Sequence, residues 1–180
     1  MKREPSTAGV WIDPARFKLV NFGLFQAVWL IAILYQQAGA ALCLLLLLLH
    51  FLLSPTPWLD FRTTACGIVF GVLLDYTLMM SGMYQFADGR FPLWLACIWI
   101  AFVLSLRHSL SWLAPRPWFV QALLGAIGGT LSYASGARLG AVSFGWPLLP
   151  TLAMLAGLWA LITPALFHLI ERMSHDQQTN

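Results

Sequence analysis

One carboxylate stands where an apolar medium would surround it. Asp75 lies inside Gly71-Val72-Leu73-Leu74-Asp75-Tyr76, within a long apolar run. A charged side chain inside a membrane span costs about 2.5–3.5 kcal/mol. Such a carboxyl must face other helices, carry a proton, or be paired. It can then act as a proton or cation site, or tie its helix to a neighbour by hydrogen bonds. By helical rise Asp75 sits ~10 Å from one end of its run. Tyr133 and Trp99 fall at a similar depth, with Arg138 about a turn beyond Tyr133. Tyr133 or Arg138 is the expected partner.

A second set of polar residues gathers toward the opposite ends of the runs. Asn21 and Gln26 enter the first run, His50 ends the second, and Arg107 and His108 end the fourth. Gln121 starts the fifth and His168 ends the sixth. Hydrogen-bonding groups from several helices thus reach one depth and could line a pocket. Span ends also collect polar residues simply because water and headgroups lie there.

Reaction templates are missing. The four histidines lie on separate segments with no His-x-x-x-His spacing, so neither a metal nor any other cofactor is expected. No glycine-rich strand-to-helix loop suggests a phosphate cradle. Ser105, Ser109 and Ser111 flank His108, but no orienting carboxylate is near them in sequence. Cys43, Cys66 and Cys97 lie in apolar runs without a C-x-x-C pair and read as small hydrophobes.

The elements that must position these groups are set by composition. Hydrophobic residues make up 59% of the 180 and charged residues 9%. A soluble domain carries about 25% charged residues, so the medium around most of this chain is lipid. Apolar runs cover residues 19–35, 38–53, 63–82, 91–106, 118–137 and 147–170, against the ~20 residues needed to cross hydrocarbon. Proline marks several joints, at Pro55, Pro57, Pro115 and Pro117. The fold class is therefore all-α, a polytopic transmembrane bundle of six helices. The alternative is five helices plus a re-entrant hairpin at the short second run. The expected organisation is a polar N-terminal segment (1–17), a membrane domain (18–171) and a polar tail (172–180). The first run exceeds the usual ~7–15-residue core of a signal peptide, so it reads as a retained span.

Cation placement gives orientation. Lys2, Arg3, Arg16, Lys18, Arg62, Arg107, Arg116 and Arg172 fall on one side of a six-span chain, and only Arg90 and Arg138 on the other. Lys and Arg favour the cytoplasmic side, so both termini are expected there. The net charge of +3 is spread singly between runs, which excludes the basic patch a nucleic acid would need. Gly67 and Gly71, and Gly125 and Gly129 followed by Ser132 and Gly136, form small-residue ridges at helical spacing. Such ridges let helices approach closely in lipid, and they predict that the third and fifth runs occupy the bundle centre. The leucine-rich second run should face lipid. The six runs do not divide into two matching halves, so an internal duplication of the transporter kind is unsupported.

Several motifs, taken in order, carry a likeness to known sequences. They are Asn21-Phe22-x-x-Phe25-Gln26-x-x-Trp29, Gly71-x-x-x-Asp75-x-x-Leu78, Pro92-x-Trp94, Ser109-Leu110-Ser111-Trp112 and Tyr133-x-x-Gly136-x-x-Leu139-Gly140-Ala141. The chain resembles a family of small bacterial inner-membrane proteins defined only as a domain of unknown function. The resemblance implies a multi-pass protein of the bacterial inner membrane and a link to genes that modify fatty acids. It carries over no catalytic residue.

Three functions follow as expectations. One is an accessory or interaction protein whose partners are the lipid bilayer, other membrane proteins or lipid-modifying enzymes. Another is a membrane enzyme acting on a lipid or isoprenoid through Asp75 and Tyr133 or through the second polar set. The last is a small transporter with Asp75 as its proton or cation site.

Overall fold

Proline at the first helical position is pre-organised for a helix and loses no needed N–H. Pro14 and Pro57 open two helices in this way. The computed structural model describes residues 13–87 and 89–176. Most of the expected N-terminal segment, with Lys2 and Arg3, lies outside the described residues, as do Asp88 and the end of the tail. Among the described residues there are five α-helices: α1 (Pro14–Leu53), α2 (Pro57–Met80), α3 (Leu93–Arg107), α4 (Trp118–Arg138) and α5 (Leu148–Asp176). α1, α2 and α5 are long and apolar enough to cross a membrane; α3 is apolar and shorter.

Five helices replace the six expected because the first two runs are joined within α1. They meet at Gln36, whose backbone (φ 49°, ψ −127°) breaks the helix. Asn21 reaches His50 and the Cys43 thiol reaches the Val28 carbonyl, pairs nearly equidistant from Gln36. The two limbs therefore run antiparallel, reversing over a single residue. A non-glycine residue at positive φ stores about 1–3 kcal/mol. Its Nε2 donates to the Gly140 carbonyl at 3.2 Å, tying the reversal to the end of α4.

The same end carries a small ribbon that the sequence reading did not foresee. β1 (Tyr84–Gln85) pairs antiparallel with β2 (Ser143–Phe144), with Tyr84 opposite Phe144. It joins the α2–α3 connection to the α4–α5 connection. Gly82 and Gly140 adopt positive φ beside it, where a side chain would be strained. This is the ribbon end of the bundle, and the opposite one is the Asp60 end.

The small-residue ridges do mark close contacts. A Cβ on Gly71 would run into the Trp99 indole, and one on Gly129 into the Trp159 indole. Those two indoles stack on each other at 5.3 Å and 11°. Four helices are thus layered as Gly71, Trp99, Trp159, Gly129. The centre of the bundle is nevertheless α3, not α2 or α4 as the ridges had suggested. Trp94, Leu95, Cys97, Trp99, Val103 and Leu104 are all buried on it, whereas Phe70 and Leu73 on α2 and Leu123 and Ile127 on α4 are exposed. A glycine ridge reports one close neighbour, not burial on every side. The second limb of α1 keeps Leu45, Leu48 and Leu52 exposed but turns Cys43, Leu47 and His50 inward.

Gly71→Ala should therefore lower the melting temperature in detergent, by an overpacking penalty of about 1–3 kcal/mol. Gly128→Ala, whose Cβ would meet nothing within 4 Å, should be neutral or raise it, since Ala gains about 1 kcal/mol over Gly in a helix. Equal melting shifts for the two variants would contradict the packing described.

Candidate functional site

Two buried carboxylates sit fifteen residues apart on α2, which is ~22 Å of rise and nearly one helical face. Both are completely buried. Each gathers hydrogen-bond donors from several elements.

Near the ribbon end, Asp75 accepts three hydrogen bonds. Tyr84 Oη donates to Oδ1 at 2.5 Å, Tyr133 Oη to Oδ1 at 2.6 Å, and Trp99 Nε1 to Oδ2 at 2.7 Å. These donors come from β1, α4 and α3. Tyr133 is the partner expected from the sequence. Arg138 is not. Five residues beyond Tyr133, it points to the other side of α4 and is exposed. Tyr84 was not foreseen, because its place depends on the ribbon. Burial and the adjacent Asp75 push the Tyr84 phenol above its usual value, so it stays a donor.

At the other end the organising residue is Asp60, which lies between the apolar runs 38–53 and 63–82 read from the sequence. α2 begins at Pro57, not near residue 63, so Asp60 lies in its first turn. His50 Nε2 is 3.1 Å from Oδ2, and His108 Nε2 is 3.0 Å from both oxygens. Arg107 Nη1 is 3.0 Å from Oδ1. Ser54 Oγ donates to Oδ2 at 2.5 Å, and Arg107 Nη2 donates to Thr56 Oγ1 at 3.1 Å. Phe17 packs its ring against both imidazoles. Of the second polar set, the structure thus brings Asn21, His50, Arg107 and His108 together. It does not include Gln26, which is exposed. Gln121 donates instead to the Leu113, Ala114 and Arg116 carbonyls, closing the turn before α4. His168 is exposed on α5.

His50, Asp60 and His108 each offer a ligand atom within 4.8 Å of the others, so by type they could hold a transition metal. Hydrogen bonding argues against it. The Ser109 N–H donates to Asn21 Oδ1 at 3.1 Å, which turns the Asn21 amide N–H toward His50 Nδ1 at 3.4 Å. His50 Nδ1 is then an acceptor, and its hydrogen is on Nε2, aimed at Asp60. A metal would need that Nε2 lone pair, and the Arg107 charge already answers the carboxylate. Of the serines around His108, Ser109 reaches Asn21 only through its backbone N–H, and its buried hydroxyl has no partner. Ser105 and Ser111 spend their hydroxyls on the Phe102 and His108 carbonyls.

Between the two polar centres lies a cavity of about 530 Å³. α1 packs mainly on α3, and α4 mainly on α5; the cavity opens between these pairs. Trp29, Trp94, Trp99, Trp112 and Trp159 line it, and along α4 it follows Leu124 to Gly136, ~18 Å of rise. Trp29 Nε1 donates across it to Ser132 Oγ at 2.8 Å. Asp75 does not line this slot, but its donors Tyr133 and Trp99 do.

A bundle of long apolar helices, pinned by buried carboxylates, is the interior of a membrane protein. Over residues 18–165 the chain matches the family described as "Protein of unknown function (DUF2878)", and it belongs to that family. No curated protein and no solved structure matches it.

The two carboxylates should respond differently to amidation. Asp60→Asn leaves the buried Arg107 guanidinium without its counter-charge, and should cost about 3–5 kcal/mol. Asp75→Asn turns one acceptor into a donor facing a donor, and should cost about 1–3 kcal/mol. Thermal unfolding in one detergent, with both variants side by side, checks the order; a larger loss for Asp75→Asn would reverse it.

Proposed function

We propose that this protein binds one apolar chain, a lipid acyl or isoprenoid tail, in the slot between α1 and α4. In this reading it is a six-crossing protein of the bacterial inner membrane, with both termini cytoplasmic, that serves lipid-modifying enzymes as an accessory. The slot is the observation that carries it. Its lining is almost wholly apolar and aromatic, its volume lies in the range of small-molecule sites, and it is drawn out along the helix axis. Gly128 leaves its side of α4 without a side chain, and no atom lies within 4 Å of where a Cβ would stand. Six crossings are supported by the antiparallel limbs of α1. The orientation is supported by Arg16, Lys18, Arg62, Arg107, Arg116 and Arg172, which lie toward the Asp60 end, against Arg90 and Arg138 at the other.

Protein extracted in mild detergent should retain about one equivalent of a tailed lipid by native mass spectrometry. Gly128→Trp fills the slot, and should release that lipid while leaving the melting transition intact. Retention by the filled variant, or no bound lipid in the parent, would overturn the reading.

A second reading is favoured by Tyr133. Its ring lines the slot while its hydroxyl is held 2.6 Å from Asp75, an arrangement suited to proton transfer at a bound lipid. Tyr133→Phe that keeps the lipid but abolishes its chemical conversion by native membranes would favour an enzyme. Unchanged conversion would leave the accessory role.

A further inference from the structure

A second cavity, of about 740 Å³, adjoins the slot toward the Asp60 end. Leu106 lines both. On α4, Gln121 faces this vestibule, and Leu124, one turn on, faces the slot. On α5, Thr163 faces the slot and its neighbour Pro164 the vestibule. In the 3-10 turn Ser111–Leu113, Ser111 faces the vestibule, whereas Trp112 and Leu113 face the slot. The two spaces are therefore successive along the bundle, separated by about one layer of side chains.

Their chemistry differs sharply. The vestibule is lined by Arg107, Arg116 and His168, with Glu171 as the acidic member. Two guanidiniums and an imidazole thus face one carboxylate. Arg107 is the informative one. Its side chain is only 8% exposed. Although Asp60 answers its charge, its Nε–H has no acceptor. A buried guanidinium N–H without an acceptor is costly, and an oxyanion is the group that best satisfies a guanidinium. Trp118, exposed at the vestibule mouth, is of the type that sits at a headgroup boundary.

We infer that the ligand is an anionic amphiphile: its tail lies in the slot, and its oxyanion head lies in the vestibule beside Arg107 and Arg116. The inference rests on the slot reading and adds the charge and the direction of the ligand. A fatty-acid carboxylate and a phospholipid phosphate share this chemistry. The head points to the Asp60 end, which is the cytoplasmic leaflet in the orientation proposed above.

The test measures binding to the full chain in neutral detergent by tryptophan quenching with brominated ligands. The probes are a brominated fatty acid, the matching fatty alcohol, a brominated phosphatidylglycerol and the matching phosphatidylcholine. Inorganic phosphate serves as a tail-less competitor. The anionic probes should bind about tenfold tighter than their uncharged or zwitterionic counterparts, the effect of one charge-assisted hydrogen bond. Acid over alcohol with no phosphatidylglycerol binding identifies the carboxylate; the converse identifies the phospholipid; phosphate competition alone, without tail dependence, refutes the amphiphile. Arg116→Glu, on an exposed loop residue, should remove the preference, as should His168→Glu, while alcohol binding stays. Arg107 is left intact because it holds Asp60. Equal binding of acid and alcohol, together with equal binding of phosphatidylglycerol and phosphatidylcholine, by the parent would overturn this inference and leave the slot reading standing. Failure of every tailed probe to bind would overturn both.

Discussion

Hydrocarbon offers no hydrogen-bond donor, so a carboxylate inside a membrane bundle must find all of its donors within the protein. That constraint organises this molecule. Asp75 can be satisfied only if β1, α3 and α4 are all in place, because Tyr84, Trp99 and Tyr133 come one from each. Asp60 makes the same demand of the second limb of α1 and of the end of α3, while Asn21 and Phe17 of the first limb hold its histidines. The helices have little hydrophobic reason to choose particular neighbours in lipid. Two points of polar convergence on a single helix supply that choice, and the glycine faces at Gly71 and Gly129 let the indoles of Trp99 and Trp159 close the layers between them.

The same devices explain why space is left where it is. α1 is drawn onto α3 by the Asp60 cluster, and α4 onto α5 by Gly125 and Gly129. Nothing of comparable strength draws α1 onto α4. Their shared boundary is bridged by the Trp29–Ser132 hydrogen bond and by the Gln36–Gly140 contact, and the slot is the volume that remains. Asp75 is dry and fully partnered, which suits a structural anchor better than a cation path. Its aromatic partners nonetheless form part of the slot wall, so anchor and cavity share atoms.

Much of this was legible in the sequence. A helical membrane chain follows from the scarcity of charge and the length of the apolar runs. Asp75 and Tyr133 were paired by depth alone, and Asn21, His50, Arg107 and His108 by their position at span ends. Arg138 failed because depth does not fix rotation about the helix axis. Asp60 was missed because the third run was started at residue 63, when the proline at position 57 already marks a helix start and places Asp60 in its first turn. Tyr84 was out of reach: its position depends on a two-residue ribbon joining segments some sixty residues apart, and neither half carries a strand pattern long enough to recognise. The slot likewise depends on which helices do not touch, and a single sequence holds no signal for that.

The single-residue reversal at Gln36 has one more consequence. With two limbs meeting over one residue and a two-residue ribbon beside them, the ribbon end projects very little chain for a water-soluble domain to grip. The two limbs of α1, being covalently so close, move as one hairpin and cannot part at the ribbon end.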